Sequence, residues 1–403
     1  MSTERYDVVI IGAGVVGLSV GIALLDAKPA LRVVILEKES QVGFHASGRN
    51  SGVLHAGFYY SPDSLKARFC RDGNFELKSL CNEGGIPVQT CGKVVVTQND
   101  EEESRLELLY ARGVANGVEL EIHDGGRIKS YEPLARTYNR FLWSPNTAIS
   151  DSRRVILFML EKFIKLGGRV LFNTTVELSF NSGEVDVKGN FYKFQHIVNC
   201  AGAQSDRIAK EIGVSEEYAM IPFMGMYRAT SISRLPLRTL VYPVPHKINP
   251  FLGVHFTLTV DGKVKIGPTA IPILGREQYS LLRGLSGFDI RQAIKGTRSL
   301  VSGESHNFSE MLRGEWPKVF RKEIVKQAAQ LVPGAGEVAN WSRKPPGIRA
   351  QLVHLPTGRL EQDFVVRNFN NSTHVLNAVS PGWTSSLPFG RHVANEFVLP
   401  SLT

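Results

Sequence analysis

Tyr6-Asp-Val-Val-Ile-Ile-Gly-Ala-Gly-Val-Val-Gly17 is the stretch whose reading decides the fold. Val8 to Ile11 is an unbroken apolar run, the pattern of a strand buried on both faces of a parallel sheet. It meets Gly12-Ala13-Gly14-Val15-Val16-Gly17, and a helical pattern then runs from Leu18 to about Asp26. Gly12 permits the tight turn, Gly14 lets backbone approach a pyrophosphate, and Gly17 lets the helix pack closely on the strand. Val15 and Val16 are cofactor-contact candidates in this turn, and the helix N-terminus that follows offers free N–H groups and a positive dipole end to phosphate. A second strand, Arg32 to Leu36, ends in Glu37, twenty residues past Gly17. A carboxylate there accepts from ribose hydroxyls and disfavours a 2′-phosphate. Strand, turn, helix, strand and acid together predict a dinucleotide site. A glycine-rich turn in another α/β unit would explain the glycines but not the placed acid.

Working outward, 403 residues exceed one ordinary core, so two domains are expected. The apolar fraction of 43% is that of a globular protein, and no apolar run is long enough to span a bilayer. The fingerprint starts within ten residues of Met1, so no leader peptide is expected. The expected location is the cytoplasm, with contact at the inner membrane face as an option. Cys70, Cys81, Cys91 and Cys200 form no C-x-x-C pair and read as reduced packing thiols. The histidines lack metal-ligand spacing, so no metal is expected. A formal charge of +9 suits anionic ligands or an anionic membrane surface, and equally plain solubility. The basic residues are dispersed with no aromatic-basic recognition motif, which argues against nucleic acid and against a tRNA-modifying enzyme.

After Glu37 and Lys38 the chain enters His45-Ala-Ser-Gly-Arg-Asn-Ser-Gly-Val-Leu-His-Ala-Gly57. Small residues interleaved with Ser47, Arg49, Asn50, Ser51, Gly52 and His55 suit backbone running against a bound cofactor. A helix is expected over 63–82, a strand at 94–97, a charged helix over 101–116, a helix over 152–166 and a strand over 168–172. A meander over 176–187, opening at Val176, leads to His196-Ile-Val-Asn-Cys-Ala-Gly-Ala203, where Ala201 and Gly202 give a second cofactor contact before a helix over 205–212. From Ile221 to Thr269 the signal is β, with strands at 227–230, 240–243, 253–259 and 264–266 and a hairpin turn at Asp261-Gly262. Residues 275–342 are mostly helical, including the basic amphipathic segment Phe320–Ala329. A strand at 374–378, the turn Ser380-Pro-Gly-Trp383 and a helix over 384–399 close the chain.

The expected fold class is therefore α/β: a discontinuous Rossmann-like nucleotide domain over 1–85, 150–222 and 345–403. A second, α+β substrate-binding or cap domain, built on a mainly antiparallel sheet, takes 86–149 and 223–344. Return to the first domain at the C-terminus suits wrapping an extended cofactor such as FAD.

These residues resemble the FAD-dependent D-amino-acid oxidase superfamily through the fingerprint, Asn199-Cys-Ala-Gly202 and the C-terminal turn-helix. Within it they are most similar to the L-2-hydroxyglutarate dehydrogenase/oxidase family. The matching segments are Arg49–Gly57, Tyr60–Arg68, Asn249-Pro-Phe-Leu-Gly-Val-His255 and Pro346-Gly-Ile-Arg-Ala-Gln351. The resemblance covers nearly the whole chain and implies FAD as cofactor. Its departures fall at Pro222-Phe-Met-Gly-Met-Tyr227, where the family has Arg and Glu for Met224 and Met226, and at Leu258, where relatives often carry arginine. Gly267-Pro-Thr-Ala270 and Ser380-Pro-Gly-Trp-Thr384 also differ from the family pattern. If the lost arginines held a distal carboxylate, a five-carbon diacid would bind several kcal/mol worse.

The reaction the resemblance implies is hydride removal from C2 of an L-2-hydroxy acid to flavin N5, with L-2-hydroxyglutarate the default substrate. Oxygen, a quinone or an electron-transfer partner would then take the electrons. An amino-acid or amine oxidase of the same superfamily is the alternative. Such a site needs a cation for the substrate carboxylate, a base near the hydroxyl, and a donor near the flavin pyrimidine edge. Arg349 is the candidate cation, since a guanidinium binds carboxylate bidentately; a surface arginine or one paired with Asp363 is the plain alternative. His255 is the candidate base, with His55 as competitor. Tyr227, Tyr242 and Thr269 are candidates to orient substrate. The backbone of Gly382, Trp383, Thr384 and Ser385 is the candidate donor to the flavin edge.

Overall fold

The sheet built on Val8–Ile11 has six strands. In the computed structural model, which describes residues 4–176, 184–187, 190–246, 253–280, 284–303 and 308–402, their order is Arg169–Leu171, Val33–Leu36, Val8–Ile11, His196–Asn199, Ser372–Asn377 and Val365–Phe369. The first five are parallel and the last is antiparallel. Val8 and Ile10 join one buried cluster while Val9 and Ile11 join another. Successive side chains of a strand point to opposite faces, so a strand covered on both faces needs an unbroken apolar run. The helix Val15–Ala27 packs against Ser152–Lys165 and Ser386–Val393. The last contact is close: a Cβ on Gly390 would sit 2.4 Å from Ser19 Cβ.

The second large sheet has eight strands, in the order Ser342–Arg343, Arg228–Ser231, Lys263–Gly267, His255–Leu258, Leu240–Pro243, Lys93–Val96, Arg140–Ser144 and Glu121–Asp124. Its pairings are antiparallel except that of Leu240–Pro243 with Lys93–Val96. The helix Arg321–Leu331 closes one face, burying Ile324, Ala328 and Leu331 in the same core as Phe256 and Leu258. Joining the two regions is an eight-residue pair, Tyr218–Gly225 antiparallel to Gly347–His354. The mixed architecture is the α/β fold with an antiparallel second sheet that the sequence implies.

Several elements differ from expectation in extent. The first helix begins at Val15, three residues before Leu18, because the turn ends at Gly14 and Gly17 is already helical. The C-terminal helix is Ser386–Val393 followed by a π turn over Ala394–Val398, not one helix over 384–399. The strand Gly347–His354 falls where the sequence offers only the motif Pro346–Gln351. Of the expected meander, residues 177–183 lie outside the described residues; Glu184–Val187 pairs antiparallel with Asn190–Lys193, which in turn runs parallel to Glu4–Arg5. Residues 249–252 of the Asn249–His255 segment likewise lie outside the described residues. The four cysteines are free thiols, three of them buried.

Candidate active site

The two sheets meet around one cavity of about 1010 Å³, at the upper end of the roughly 300–1,000 Å³ typical of ligand sites. The fingerprint forms one part of its wall. Gly12 has φ +99°, a conformation costly for any residue with a Cβ, and a Cβ there would lie 2.7 Å from Cys200 O. A Cβ on Gly17 would lie 2.0 Å from Gly12 O, so Gly17 serves helix packing and does not line the cavity. Gly14 is different: a Cβ there would meet only Ser47 Oγ, at 3.2 Å, and the residue faces the cavity with Val15 and Val16. Ser47 is fixed by the Val15 N–H, which donates to its Oγ at 3.0 Å. Glu37, buried at the end of its strand, accepts from the N–H groups of Ala13 (2.8 Å) and Glu39 (2.9 Å) and also lines the cavity.

Arg49, Asn50, Ser51, Val176, Ala201, Gly202 and Lys38 join this wall. So does a segment that sequence reasoning missed, Arg276 to Tyr279. Arg276 is fully buried and ion-paired with Asp206 and Asp289 (2.9 Å to the latter), and it donates to Ala203 O at 2.8 Å. Lys38 reaches Glu277 at 2.7 Å and Glu39 at 3.0 Å. His45 sits between Glu39 and the Tyr279 hydroxyl, both at 3.0 Å, and the Arg49 guanidinium lies 4.1 Å from the Tyr279 ring centre. Glu39, His45 and Glu277 come close enough to share a cation. Lys38 Nζ already supplies the positive charge between the two carboxylates.

The remaining wall carries the candidate catalytic groups. His55, Tyr227, Tyr242, His255 and Arg349 all line the cavity, with the turn through Gly382, Trp383 and Thr384. His255 stacks on Tyr242, ring centres 3.8 Å apart, and its Nδ1 lies 2.7 Å from Gly253 O. Only a protonated nitrogen bonds a carbonyl, so Nδ1 carries the hydrogen and Nε2 is an acceptor. Burial pushes the His255 pKa down to about 3, helped by the charges of Lys93 and Arg349 and opposed by the Gly253 bond. Burial likewise holds His55 well below its ordinary value, reinforced by Lys93, His255 and Arg349. Arg349 hydrogen-bonds the Tyr227 hydroxyl, whose pKa burial nonetheless raises. Asp363, the alternative partner for Arg349, accepts the N–H groups of Leu65 and Lys66 at the start of the helix Leu65–Glu83.

Thr384 bolts the C-terminal turn in place: its hydroxyl donates to Val53 O and accepts from the His55 N–H, both at 3.2 Å. A Cβ on Gly73 would lie 2.1 Å from Thr384 O, so the helix Leu65–Glu83 presses directly on this turn. Among the described residues Trp383 Nε1 and Gln204 Oε1, both in the cavity wall, are buried with no protein partner. Buried polar groups are almost always satisfied, so two orphans on a cavity wall mark where a polar ligand binds. With the glycine cradle at Gly14, the residues present fit FAD.

Four candidates stand elsewhere. Gly17 is accounted for above, and a Cβ on Gly52 would meet Ser150 O at 2.4 Å. Ser385 is buried behind Thr384. Thr269 is 1% exposed, donating to Met224 O (3.0 Å) and accepting from the Met226 N–H (3.1 Å) at the end of the strand Tyr218–Gly225, and it is not in the cavity wall. The three departures that cast doubt on a diacid do not line the cavity either. Leu258 lies with Phe256 in the core of the eight-stranded sheet, three positions from His255 and so on the opposite face. An arginine lost there removes no charge from the cavity of this chain. Lys93, fully buried beside His55, is the second residue sequence reasoning missed; its only signal was a charge opening an apolar strand.

A family model for FAD dependent oxidoreductases matches residues 7–396. The L-2-hydroxyglutarate dehydrogenase of Escherichia coli K12 is 34% identical over 399 residues, covering 97% of this chain and 93% of that one. The mitochondrial L-2-hydroxyglutarate dehydrogenase of Homo sapiens is 36% identical over 417 residues, 98% of this chain and 89% of that one. Among solved structures, the FAD-bound L-alpha-glycerophosphate oxidase of Mycoplasma pneumoniae superposes with a TM-score of 0.74 at 21% identity, covering 96% and 94% of the two chains. Glycine oxidase from Geobacillus kaustophilus gives 0.72 at 20%, covering 98% and 94%. At those identities the structures speak for the fold alone. Full-length matches to the family model and to these relatives, on a cavity built for the cofactor, make the chain an FAD-dependent oxidoreductase of the L-2-hydroxyglutarate dehydrogenase group.

Proposed function

We propose that the enzyme oxidises L-2-hydroxyglutarate to 2-oxoglutarate. The observation that carries this reading is the pairing of a guanidinium, Arg349, with an imidazole, His255, whose Nε2 is a neutral acceptor, in the cavity that holds the fingerprint. When bound, FAD supplies the acceptor for the hydride that leaves C2. Arg349 binds the C1 carboxylate through two parallel charge-assisted bonds, oriented by Tyr227. His255 takes the hydroxyl proton on Nε2 as the C2–O bond becomes a carbonyl, and Tyr242 stacked on its ring holds it in place. Val15, Val16, Ser47, Asn50 and Ser51 hold the pyrophosphate and flavin edge, and Glu37 the adenosine ribose. In this reading the segments 1–85, 150–222 and 345–403 form the FAD-binding domain and 86–149 and 223–344 the substrate-binding or cap domain, with Arg349 reaching the substrate from the first and Glu277 the nucleotide wall from the second. The names of the full-length relatives favour a hydroxy acid over an amino acid.

Among the described residues no helix is long and apolar enough to cross a membrane. Contact at a membrane surface is supported by Trp316, Val319 and Phe320, exposed by 56, 37 and 71%, beside Arg321 and Lys322. Apolar knobs ringed by basic residues suit an anionic bilayer, and that placement suits a quinone as electron acceptor.

The test is anaerobic mixing of the holoenzyme with L- and D-2-hydroxyglutarate, L-lactate and L-glutamate, following the oxidised-flavin band near roughly 450 nm. Bleaching by L-2-hydroxyglutarate is expected. Bleaching by an amino acid and by no 2-hydroxy acid would overturn the reading.

A further inference from the structure

The strand Lys93–Val96 opens on a lysine that meets no carboxylate among the described residues. Lys93 is 0% exposed. Its Nζ lies over the rings of Tyr242, Tyr59 and Phe58, at 4.3, 5.0 and 5.2 Å from their centres. Its one hydrogen-bonding neighbour among the described side chains is His55 Nδ1, at 3.4 Å. Burying a cation is expensive even where aromatic faces repay part of the cost. A methionine of similar length would fill the same space without that cost, so packing does not explain the choice of lysine.

An ammonium has only hydrogens to give. While Lys93 is charged, below about pH 7, His55 Nδ1 facing Nζ must accept, and the hydrogen of the neutral ring then sits on Nε2. His255 is set the other way, with Nδ1–H spent on Gly253 O and Nε2 bare. The two rings line the same cavity. We propose that Lys93 is a positioning residue that holds His55 in its Nε2–H form, so that the cavity presents a donor imidazole beside an acceptor imidazole. The use of that pair rests on the function proposed above. His255 accepts the hydroxyl proton, and His55 donates to the same oxygen as it becomes a carbonyl. The pair selects oxygen at C2: hydride loss from an amine leaves an iminium nitrogen with no lone pair to accept from the His55 donor, whereas a carbonyl oxygen keeps two.

The experiment reads the tautomer directly and needs no substrate. Holoenzyme labelled with ¹⁵N-histidine is examined by long-range ¹H–¹⁵N correlation, with His55 assigned by its loss in His55→Asn. At pH 6, where Lys93 is charged and the His55 ring is neutral, wild type is expected to show His55 as Nε2–H. Lys93→Met should convert it to Nδ1–H or a mixture, and the rate of flavin reduction should fall roughly tenfold, one hydrogen bond's worth. Lys93→Gln keeps an N–H donor without charge and should restore both the tautomer and most of the rate. An Nδ1–H form of His55 in the wild type, or an unchanged Nε2–H form in Lys93→Met, overturns the proposal; the wild-type spectrum decides even if a variant fails to fold. If the tautomers are as expected but no 2-hydroxy acid bleaches the flavin, the function falls and the role of Lys93 stands.

Discussion

Replacing Gly14 and Gly17 by alanine, one at a time, should separate cofactor binding from folding. At Gly14 the backbone has φ −76° and ψ 174°, which any residue adopts. The new methyl meets only the Ser47 hydroxyl at 3.2 Å. Alanine for glycine at this N-cap costs the apoprotein no more than about 1 kcal/mol. The methyl stands, however, on the cavity surface proposed to face the cofactor phosphates. Displacing them from one or two backbone N–H donors, each charge-assisted bond worth about 1.5–3 kcal/mol, weakens FAD binding on the order of 10–10⁴-fold. At Gly17 the methyl would stand 2.0 Å from Gly12 O, backbone that cannot yield, and overpacking of this kind costs about 1–3 kcal/mol or more of fold stability. The assay is FAD titration of each apoprotein by quenching of flavin fluorescence, beside urea unfolding of the same apoproteins. Wild-type FAD affinity in Gly14→Ala would refute the placement of the phosphates. Equal destabilisation of the two apoproteins would refute the steric distinction between the glycines.

Arg349→Ala should lower kcat/KM for L-2-hydroxyglutarate by roughly 10²–10³-fold, the loss of a paired carboxylate contact, with FAD content unchanged; steady-state kinetics on holoenzyme checks this. Because His255 titrates near 3, its acceptor form persists as pH falls to that value, so kcat/KM should show no acid limb from His255 between pH 5 and 8, and a limb near 6.5 abolished in His255→Asn would contradict the assignment. Burial pushes Lys93 down to about 7, against ~10.4 in an unfolded chain. Between those values the unfolded state binds more protons, so this group's contribution to stability rises with pH, and below 7 its full cost of about 4–5 kcal/mol is present. Urea unfolding should therefore show the stability advantage of Lys93→Met over wild type shrinking by about 2–3 kcal/mol from pH 7 to 9. The double variant Trp316→Ser/Phe320→Ser should lose co-sedimentation with phosphatidylglycerol vesicles while keeping wild-type reduction by substrate in solution.

What was legible in the sequence was what local chemistry decides. Val8–Ile11, the glycines and Glu37 lie within thirty residues of one another, and each has a task that spacing alone reveals. The wall built by Arg276, Glu277 and Tyr279 was not legible, because its partners Asp206, Lys38 and His45 lie 70 to 239 positions away. Lys93 was missed for the same reason: its cage comes from Phe58, Tyr59 and Tyr242. The misreading of Leu258 has another cause. A motif comparison aligns positions without saying which face of a strand each occupies, and one step along a strand exchanges cavity for core. The strand Gly347–His354 had a signal, the alternation Ile348, Ala350, Leu352, but the adjoining prolines and glycine masked it.

The six-stranded sheet has a consequence for how the chain matures. Its centre pairs Val8–Ile11 with His196–Asn199, and His196–Asn199 with Ser372–Asn377, while the helix Ser386–Val393 packs on the first helix at Gly390. The strand of this sheet that is synthesised first therefore waits for the one synthesised last before the sheet is complete, and contacts of such separation make folding slow. A nascent chain on the ribosome holds half a cavity. Flavin capture becomes a late event that only released, full-length chains complete, and the loss of even the final thirty residues leaves an apoprotein exposing the first helix to aggregation.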